Sequence, residues 1–132
     1  MLGACGRHTE WPARSAAGIH AALDFAIANP AVARALTIES RLPRSSESRG
    51  YWQMIEHFSE LLGEGAPRKA RLPASTDEAL VGGVATVVGG HLLSGRMDRL
   101  EEISSELVYF VLLPYLGFAE AKRWTESLAP FS

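Results

Sequence analysis

The fold class is decided by residues 78–117, which read EALVGGVATVVGGHLLSGRMDRLEEISSELVYFVLLPYLG. In the first part, residues 80–93, His91 is the only titratable side chain. The second part carries six consecutive large apolar or aromatic residues at positions 108–113. Both parts have helical periodicity, and both are apolar on more than one side. The stretch therefore predicts two long helices that are each covered almost all round.

Four glycines lie inside the first of these helices, as the pairs Gly82-Gly83 and Gly89-Gly90. A glycine costs about 1 kcal/mol relative to alanine in a helix interior, so four of them need a compensating reason. They lack the G-x-x-x-x-G-K-[ST] pattern of a phosphate-binding loop. Together with Thr86 they give the helix a small-residue face, which favours the close approach of another helix. We expect this face to meet a second subunit.

The segments on either side also predict helices. Residues 46–62 form the clearest amphipathic pattern, with Tyr51, Met54 and Phe58 spaced by three and four residues. Further helices are expected at 12–28, 31–41, about 98–116 and 120–128, and Ser75 with Glu78 predicts a capping box before the glycine-rich helix. No segment alternates with a period of two. The sequence thus predicts an all-α helical bundle, one domain over residues 1–132, with peripheral tails at 1–11 and 118–132.

Composition excludes several classes of function. The chain has 132 residues and a formal charge of −2, which disfavours tight binding to nucleic acid by the chain itself. A single cysteine, Cys5, excludes an internal disulfide framework and a cysteine-rich zinc site. The N-terminus does not read as a secretory signal, and the longest uncharged run is too short and polar to span a bilayer well. We expect a cytoplasmic protein with no membrane partner, no cofactor and no metal.

The order of these features resembles the C-terminal ligand-binding and dimerisation domain of TetR/AcrR-type transcriptional regulators. Residues 21–40 (AALDFAIANPAVARALTIES), the amphipathic helix and residues 78–117 carry the resemblance. It implies that the last two long helices pack against their symmetry mates as a four-helix bundle, while the others enclose a ligand cavity. The family's helix-turn-helix domain has no counterpart in this sequence. DNA binding is therefore expected only through an N-terminal domain that the sequence lacks.

The resemblance implies two sites, a pocket for a small, largely apolar effector and a homodimer interface. For the pocket we expect the side chains of Phe25, Tyr51, Trp52, Met54, Phe58 and His91. For the dimer interface we expect Gly82, Thr86, Gly90, Leu93, Val108, Leu112 and Tyr115. No catalytic residue is predicted.

Other interpretations of the same residues stay open. Aromatic and methionine side chains at helical spacing are typical of a plain core as well as of a pocket wall. His91 fits a buried neutral histidine bonded to a carbonyl, as well as a polar anchor for a ligand. A helical interaction module without a small-molecule site is one alternative function, which a well-packed interior would favour. A small helical enzyme is another, for which the sequence offers mainly His20 and His91.

Overall fold

The computed structural model describes residues 4–67 and 71–128, and the side chains of residues 11–67 and 71–127. Within these ranges the chain forms only helices and their connections, which confirms the all-α fold class. The described helices are α1 (Ala4–Ala28), α2 (Pro30–Glu39), α3 (Arg49–Gly63), α4 (Thr76–Leu93), α5 (Arg99–Glu102), α6 (Ser104–Leu116) and α7 (Phe118–Leu128). A 3-10 turn at Ser46–Ser48 leads into α3.

Helix α1 begins at Ala4, eight residues before the predicted start at Pro12. Pro12 therefore lies inside the helix, where its missing N–H removes one hydrogen bond to the preceding turn. Trp11 is fully buried, and its indole Nε1–H donates to the Leu62 carbonyl at 2.8 Å. Since a buried indole with a satisfied N–H stabilises this turn against the end of α3, Trp11 belongs to the folded core. The tail predicted at residues 1–11 is helical from Ala4 onward.

The corner between α1 and α2 lies at the Asn29-Pro30 pair, between the helices predicted at 12–28 and 31–41. Pro30 occupies the first turn of α2, where a missing N–H costs nothing. The Asn29 side chain does not cap α2, because its Nδ2 donates back to the Phe25 carbonyl at 3.2 Å. The two helices meet at a bend of 107°. This bend folds α2 across the bundle instead of along α1.

Helix α4 occupies the centre of the bundle and packs against α2, α3, α5 and α6. The predicted capping box does not form, because the Ser75 side chain makes no capping hydrogen bond. Thr76 instead donates its hydroxyl to the Pro73 carbonyl at 2.8 Å. The helix runs without a break through all four of its glycines. Tertiary contacts therefore outweigh their poor helix propensity.

The predicted helix at 98–116 is divided in two. Ile103 has a φ of −91° and a ψ of 0°, and it separates the short α5 from α6. Pro114 lies inside α6, and Gly117 ends that helix with a φ of +85°, which glycine adopts without a steric cost.

The predicted C-terminal tail begins with an ordered helix. Helix α7 packs against α6 and α1, and Ala121 is fully buried there. The stretch 118–128 is thus part of the bundle, because the amphipathic α7 covers the apolar surface of α6. Residues 1–3 and 129–132 of the predicted tails lie outside the described residues.

Two clusters of buried side chains make up the core. The first joins α1, α3, α4, α6 and α7 and includes Trp11, Leu112 and Tyr115. The ring centroids of Trp11 and Tyr115 lie 4.9 Å apart. The second joins the end of α1 to α2, α4, α5 and α6 around Leu23, Leu92 and Leu100. Ile19 and Val84 pack against both clusters. The clusters therefore meet along α1 and α4.

No single helix of the described residues combines the length and apolar character needed to cross a membrane. Trp11–Ala28 and Pro30–Glu39 reach that threshold only when taken together, as a pair with the sharp bend described above.

Candidate functional site

A cavity of about 730 Å³ lies between the helices, beside the place where the two core clusters meet. Its wall is formed by α1, α2, α3 and α4, with Val111 of α6 at its base. Most of its surface is apolar. Protein interiors normally contain few voids larger than a water molecule, so a space of this size is a feature of the fold that needs explanation.

Each helix contributes side chains at helical spacing. On α3 the lining residues are Tyr51, Met54, Phe58, Leu61 and Leu62, and on α4 they are Val81, Val84, Ala85, Val88, Gly89 and Leu92. On α2 they include Ala33, Leu36 and Thr37. The amphipathic stripes of α3 and α2 and one side of α4 therefore point into the same space.

Helix α1 presents small residues to this space. Gly18, Ala21 and Ala22 line it alongside the larger Ile19, Leu23 and Phe25 of the same helix. A Cβ atom built on Gly18 would have no neighbouring atom within 4 Å. The small side chains on this stretch of α1 leave room in the space that the other helices surround.

The cavity opens to solvent between α1 and α3, which make few direct contacts with each other. Lining residues on both sides of this gap are exposed, among them Phe25 at 49% and Leu61 at 47%. At one end of the gap α1 is joined directly to the end of α3, because Trp11 and Arg14 donate hydrogen bonds to the carbonyls of Leu62 and Glu64. The other end is closed by α2, which packs against both α1 and α3. The gap is thus a slot held at its two ends.

Few polar groups face the cavity. Thr37 donates its hydroxyl to the Ala33 carbonyl at 2.9 Å, so its donor is already used. Burial raises the pKa of the Tyr51 hydroxyl above its ordinary value, and the nearby Glu78 carboxylate raises it further. Tyr51 therefore stays protonated and can donate a hydrogen bond. Such a surface recognises shape and apolar area more than charge.

The structure brings together four of the six predicted pocket residues. Phe25, Tyr51, Met54 and Phe58 all line the cavity. Three of them come from one face of α3, as its periodicity predicts, and Phe25 comes from α1.

Trp52 and His91 lie outside the cavity. Trp52 is one position away from the lining stripe of α3, and its ring lies under the Arg44 guanidinium at 4.4 Å. His91 is half-buried on α4, and its Nδ1–H donates to the Val87 carbonyl at 3.0 Å. This hydrogen bond agrees with the interpretation of His91 as a histidine bonded to a carbonyl, here one of its own helix. His20 is also absent from the lining residues.

Trp52 belongs to a shallow surface groove of about 300 Å³ instead. Arg44 bridges this groove by stacking on Trp52 and pairing with Glu56 at 2.8 Å. Arg44 and Glu56 are both more than half exposed, so the ion pair contributes little to stability.

Apart from Phe25, the lining residues of α1 and all those of α2 were not predicted. Gly18, Ala21 and Ala22 are small and unremarkable in a sequence, and Leu36 and Thr37 sit on a short helix with a weak pattern. A signal did exist, since Gly18, Ala22 and Phe25 continue one helical stripe.

The predicted dimer residues divide into two groups. Gly82, Thr86, Gly90 and Leu93 lie on the outer side of α4, where Thr86, Gly90 and Leu93 are exposed and Gly82 is half-buried. Val108, Leu112 and Tyr115 are at most 2% exposed within a single chain. These three pack in the chain's own first core cluster and cannot form a dimer interface, because α1 and α7 already cover them.

Among the described residues, no group of three or more histidine, cysteine, aspartate or glutamate side chains is placed to hold a metal ion. No family model, curated protein or solved structure matches this chain.

Proposed function

We propose that this chain binds a small, largely apolar molecule in its central cavity, as the effector-binding and homodimerisation domain of a TetR/AcrR-like regulator. The observation that carries the ligand site is the apolar cavity of about 730 Å³ with a slot to solvent. Ligand sites in proteins are typically concave, mostly apolar and about 300–1,000 Å³ in volume. An interaction module without a small-molecule site would instead be expected to fill its interior.

The regulatory part of the proposal rests on which helices the ligand would touch. An occupant of the cavity would contact α1 on one side of the slot and α3 on the other. Because these helices are linked mainly at the ends of the slot, their separation can change while the core clusters stay packed. A ligand that binds one separation more tightly shifts the population toward it. In a regulator of the TetR/AcrR type, such a shift would change the spacing of the two helix-turn-helix domains of the dimer.

The homodimer part of the proposal rests on the outer side of α4. Gly82 and Gly90 both have open space where a Cβ would lie, and Val87 and Leu93 beside them are each 41% exposed. Phe110 of α6, at 42% exposure, extends this surface by lying against Gly83. A second copy of the chain would bury these apolar groups and use the glycines for close helix approach.

A fluorescence titration with the uncharged probe N-phenylnaphthylamine tests the ligand site. We expect binding to the wild-type chain and to Gly18→Ala, and loss of binding by Gly18→Leu, whose side chain would occupy the slot. Both substitutions improve helix propensity, so neither should prevent folding. Equal binding by Gly18→Leu, with a normal helical circular dichroism spectrum, would exclude the slot as the entrance. Absence of binding by the wild-type chain would remove the proposed function.

A further inference from the structure

Formal charge is confined to the mouth of the cavity. Of the residues that line it, only Arg14 and Glu64 carry a charge, and both are exposed. The deeper walls consist of aliphatic and aromatic side chains together with the hydroxyls of Thr37 and Tyr51. A charged group placed among them would lose its hydration without gaining an oppositely charged partner. The part of a ligand that enters the cavity is therefore uncharged.

Arg14 is positioned to receive the other end of such a ligand. It lies one helical turn before Gly18, on the stripe of α1 that lines the cavity. Its Nη2 donates to the Glu64 backbone carbonyl, which fixes the guanidinium at the mouth. No carboxylate of the described residues lies within ion-pairing distance of it. Since a guanidinium has five N–H donors in a planar fork, further donors remain for a ligand.

Glu64 lies at the same mouth but is placed differently. It follows the last residue of α3, and the contact it makes with Arg14 uses its backbone oxygen. The carbonyls of Leu62 and Glu64 at this end of α3 accept hydrogen bonds from Trp11 and Arg14. These carbonyls carry the partial negative charge of the helix C-terminus, and they attract the Arg14 guanidinium. Of the two charges at the mouth, Arg14 is therefore the one that lies on the helical stripe lining the cavity, whereas Glu64 follows the end of α3.

We infer that the ligand of the proposed site is an anionic amphiphile of the carboxylic acid class. Its apolar body lies between α1, α3 and α4, and its carboxylate pairs with Arg14 at the mouth. The volume of about 730 Å³ lies within the range of about 300–1,000 Å³ that is typical of small-molecule sites. A ten-carbon chain with a head group fits within that volume. This inference rests on the proposed function and adds the chemistry of the ligand to it.

Three probes with the same decyl chain separate the possible head groups: decanoate, decanol and decylamine. Each is used below its aggregation threshold to displace N-phenylnaphthylamine from the wild-type chain, Arg14→Gln and Arg14→Lys. We expect decanoate to displace the naphthylamine at about fivefold lower concentration than decanol, as befits a charge-assisted contact at a solvent-exposed mouth. Arg14→Gln should remove that preference, and Arg14→Lys should keep part of it. Added salt should weaken binding of decanoate and leave decanol unchanged.

The outcomes distinguish this inference from the proposed function. If naphthylamine binds but decanoate and decanol displace it equally, the cavity binds ligands and the assigned head group is wrong. Stronger displacement by decylamine would mean that the Glu64 carboxylate, and not Arg14, pairs with the head group of the ligand at the mouth. A decanoate preference that survives Arg14→Gln would also overturn the role of Arg14. If naphthylamine does not bind the wild-type chain, the proposed function fails and the inference fails with it.

Discussion

Two neighbouring glycines of α4 have opposite surroundings, and this difference is visible only in three dimensions. A Cβ on Gly89 would lie 2.7 Å from Cγ2 of Thr37, inside the contact between α4 and α2. A Cβ on Gly90 would meet nothing within 4 Å. Gly89 therefore sets the distance between α4 and α2, while Gly90 faces outward.

Alanine substitutions at these two glycines should change stability in opposite directions. Gly90→Ala should raise the free energy of unfolding of the dissociated chain by about 1 kcal/mol, because alanine is the better helix former and its Cβ meets no atom of its own chain. Gly89→Ala should lower it by about 1 kcal/mol net, since overpacking costs about 1–3 kcal/mol. Urea unfolding followed by circular dichroism measures both, and Thr37→Ala should rescue Gly89→Ala. Two stabilised variants would show that α2 does not pack closely on Gly89.

His20 predicts a pH dependence of stability. It is 7% exposed, and burial lowers the pKa of its imidazole below the ordinary 6.5, while Asp24 acts as a smaller opposing influence. The unfolded chain therefore binds the proton more readily than the folded chain, and stability decreases as the pH drops through 6.5. The free energy of unfolding of the wild-type chain should fall between pH 7 and pH 5. The free energy of unfolding of His20→Gln should fall less over the same range. Parallel curves for the two proteins would contradict the assignment.

At the scale of the helices, the sequence was most informative where a helix has one apolar face. The stripe of α3 correctly placed Tyr51, Met54 and Phe58 on a common surface, and that surface lines the cavity. Trp52 lies outside the cavity because it is at the edge of the apolar stripe of α3. At such an edge, helical spacing alone does not show whether a side chain faces the cavity or the surface.

The prediction was least reliable for α4 and α6, which are apolar on all sides. Periodicity shows that such a helix is covered, and it does not show whether its own chain or another one covers each side. The resemblance implies that Val108, Leu112 and Tyr115 lie at a dimer interface, whereas the structure buries them under α1 and α7 of their own chain. The capping box at Ser75 failed for a local reason, because that sequence pattern permits a hydrogen bond without requiring it.

The outer side of α4 gives a prediction about assembly. We expect the wild-type chain to sediment as a dimer and Gly82→Leu to sediment as a monomer, because leucine prevents close approach of the second copy. Gly82→Ala is the matched control, since its Cβ meets no atom of its own chain within 4 Å. Analytical ultracentrifugation measures all three. A wild-type monomer, or a dimeric Gly82→Leu, would exclude this surface as the dimer interface.

At the scale of the whole molecule, a ligand bound in the cavity should stabilise the folded chain. Domains of this size are stable by only about 5–15 kcal/mol, so a few kcal/mol from a ligand is a measurable share. A ligand that binds only the folded chain raises the free energy of unfolding by about 2.7 kcal/mol at one hundred times its dissociation constant. Denaturant unfolding with decanol should show this gain for the wild-type chain, and Gly18→Leu should show none. An equal gain in both proteins would mean that decanol binds elsewhere.

The most direct test of the ligand cavity is methyl NMR of the chain labelled with carbon-13 at its methionine methyl groups. Met54 lines the cavity, whereas Met97 packs against the second core cluster and is not a lining residue. On titration with decanol, the Met54 resonance should shift progressively to saturation while the Met97 resonance stays in place. A saturable shift of Met97 without a shift of Met54, or no shift of either while decanol binds, would contradict the central claim.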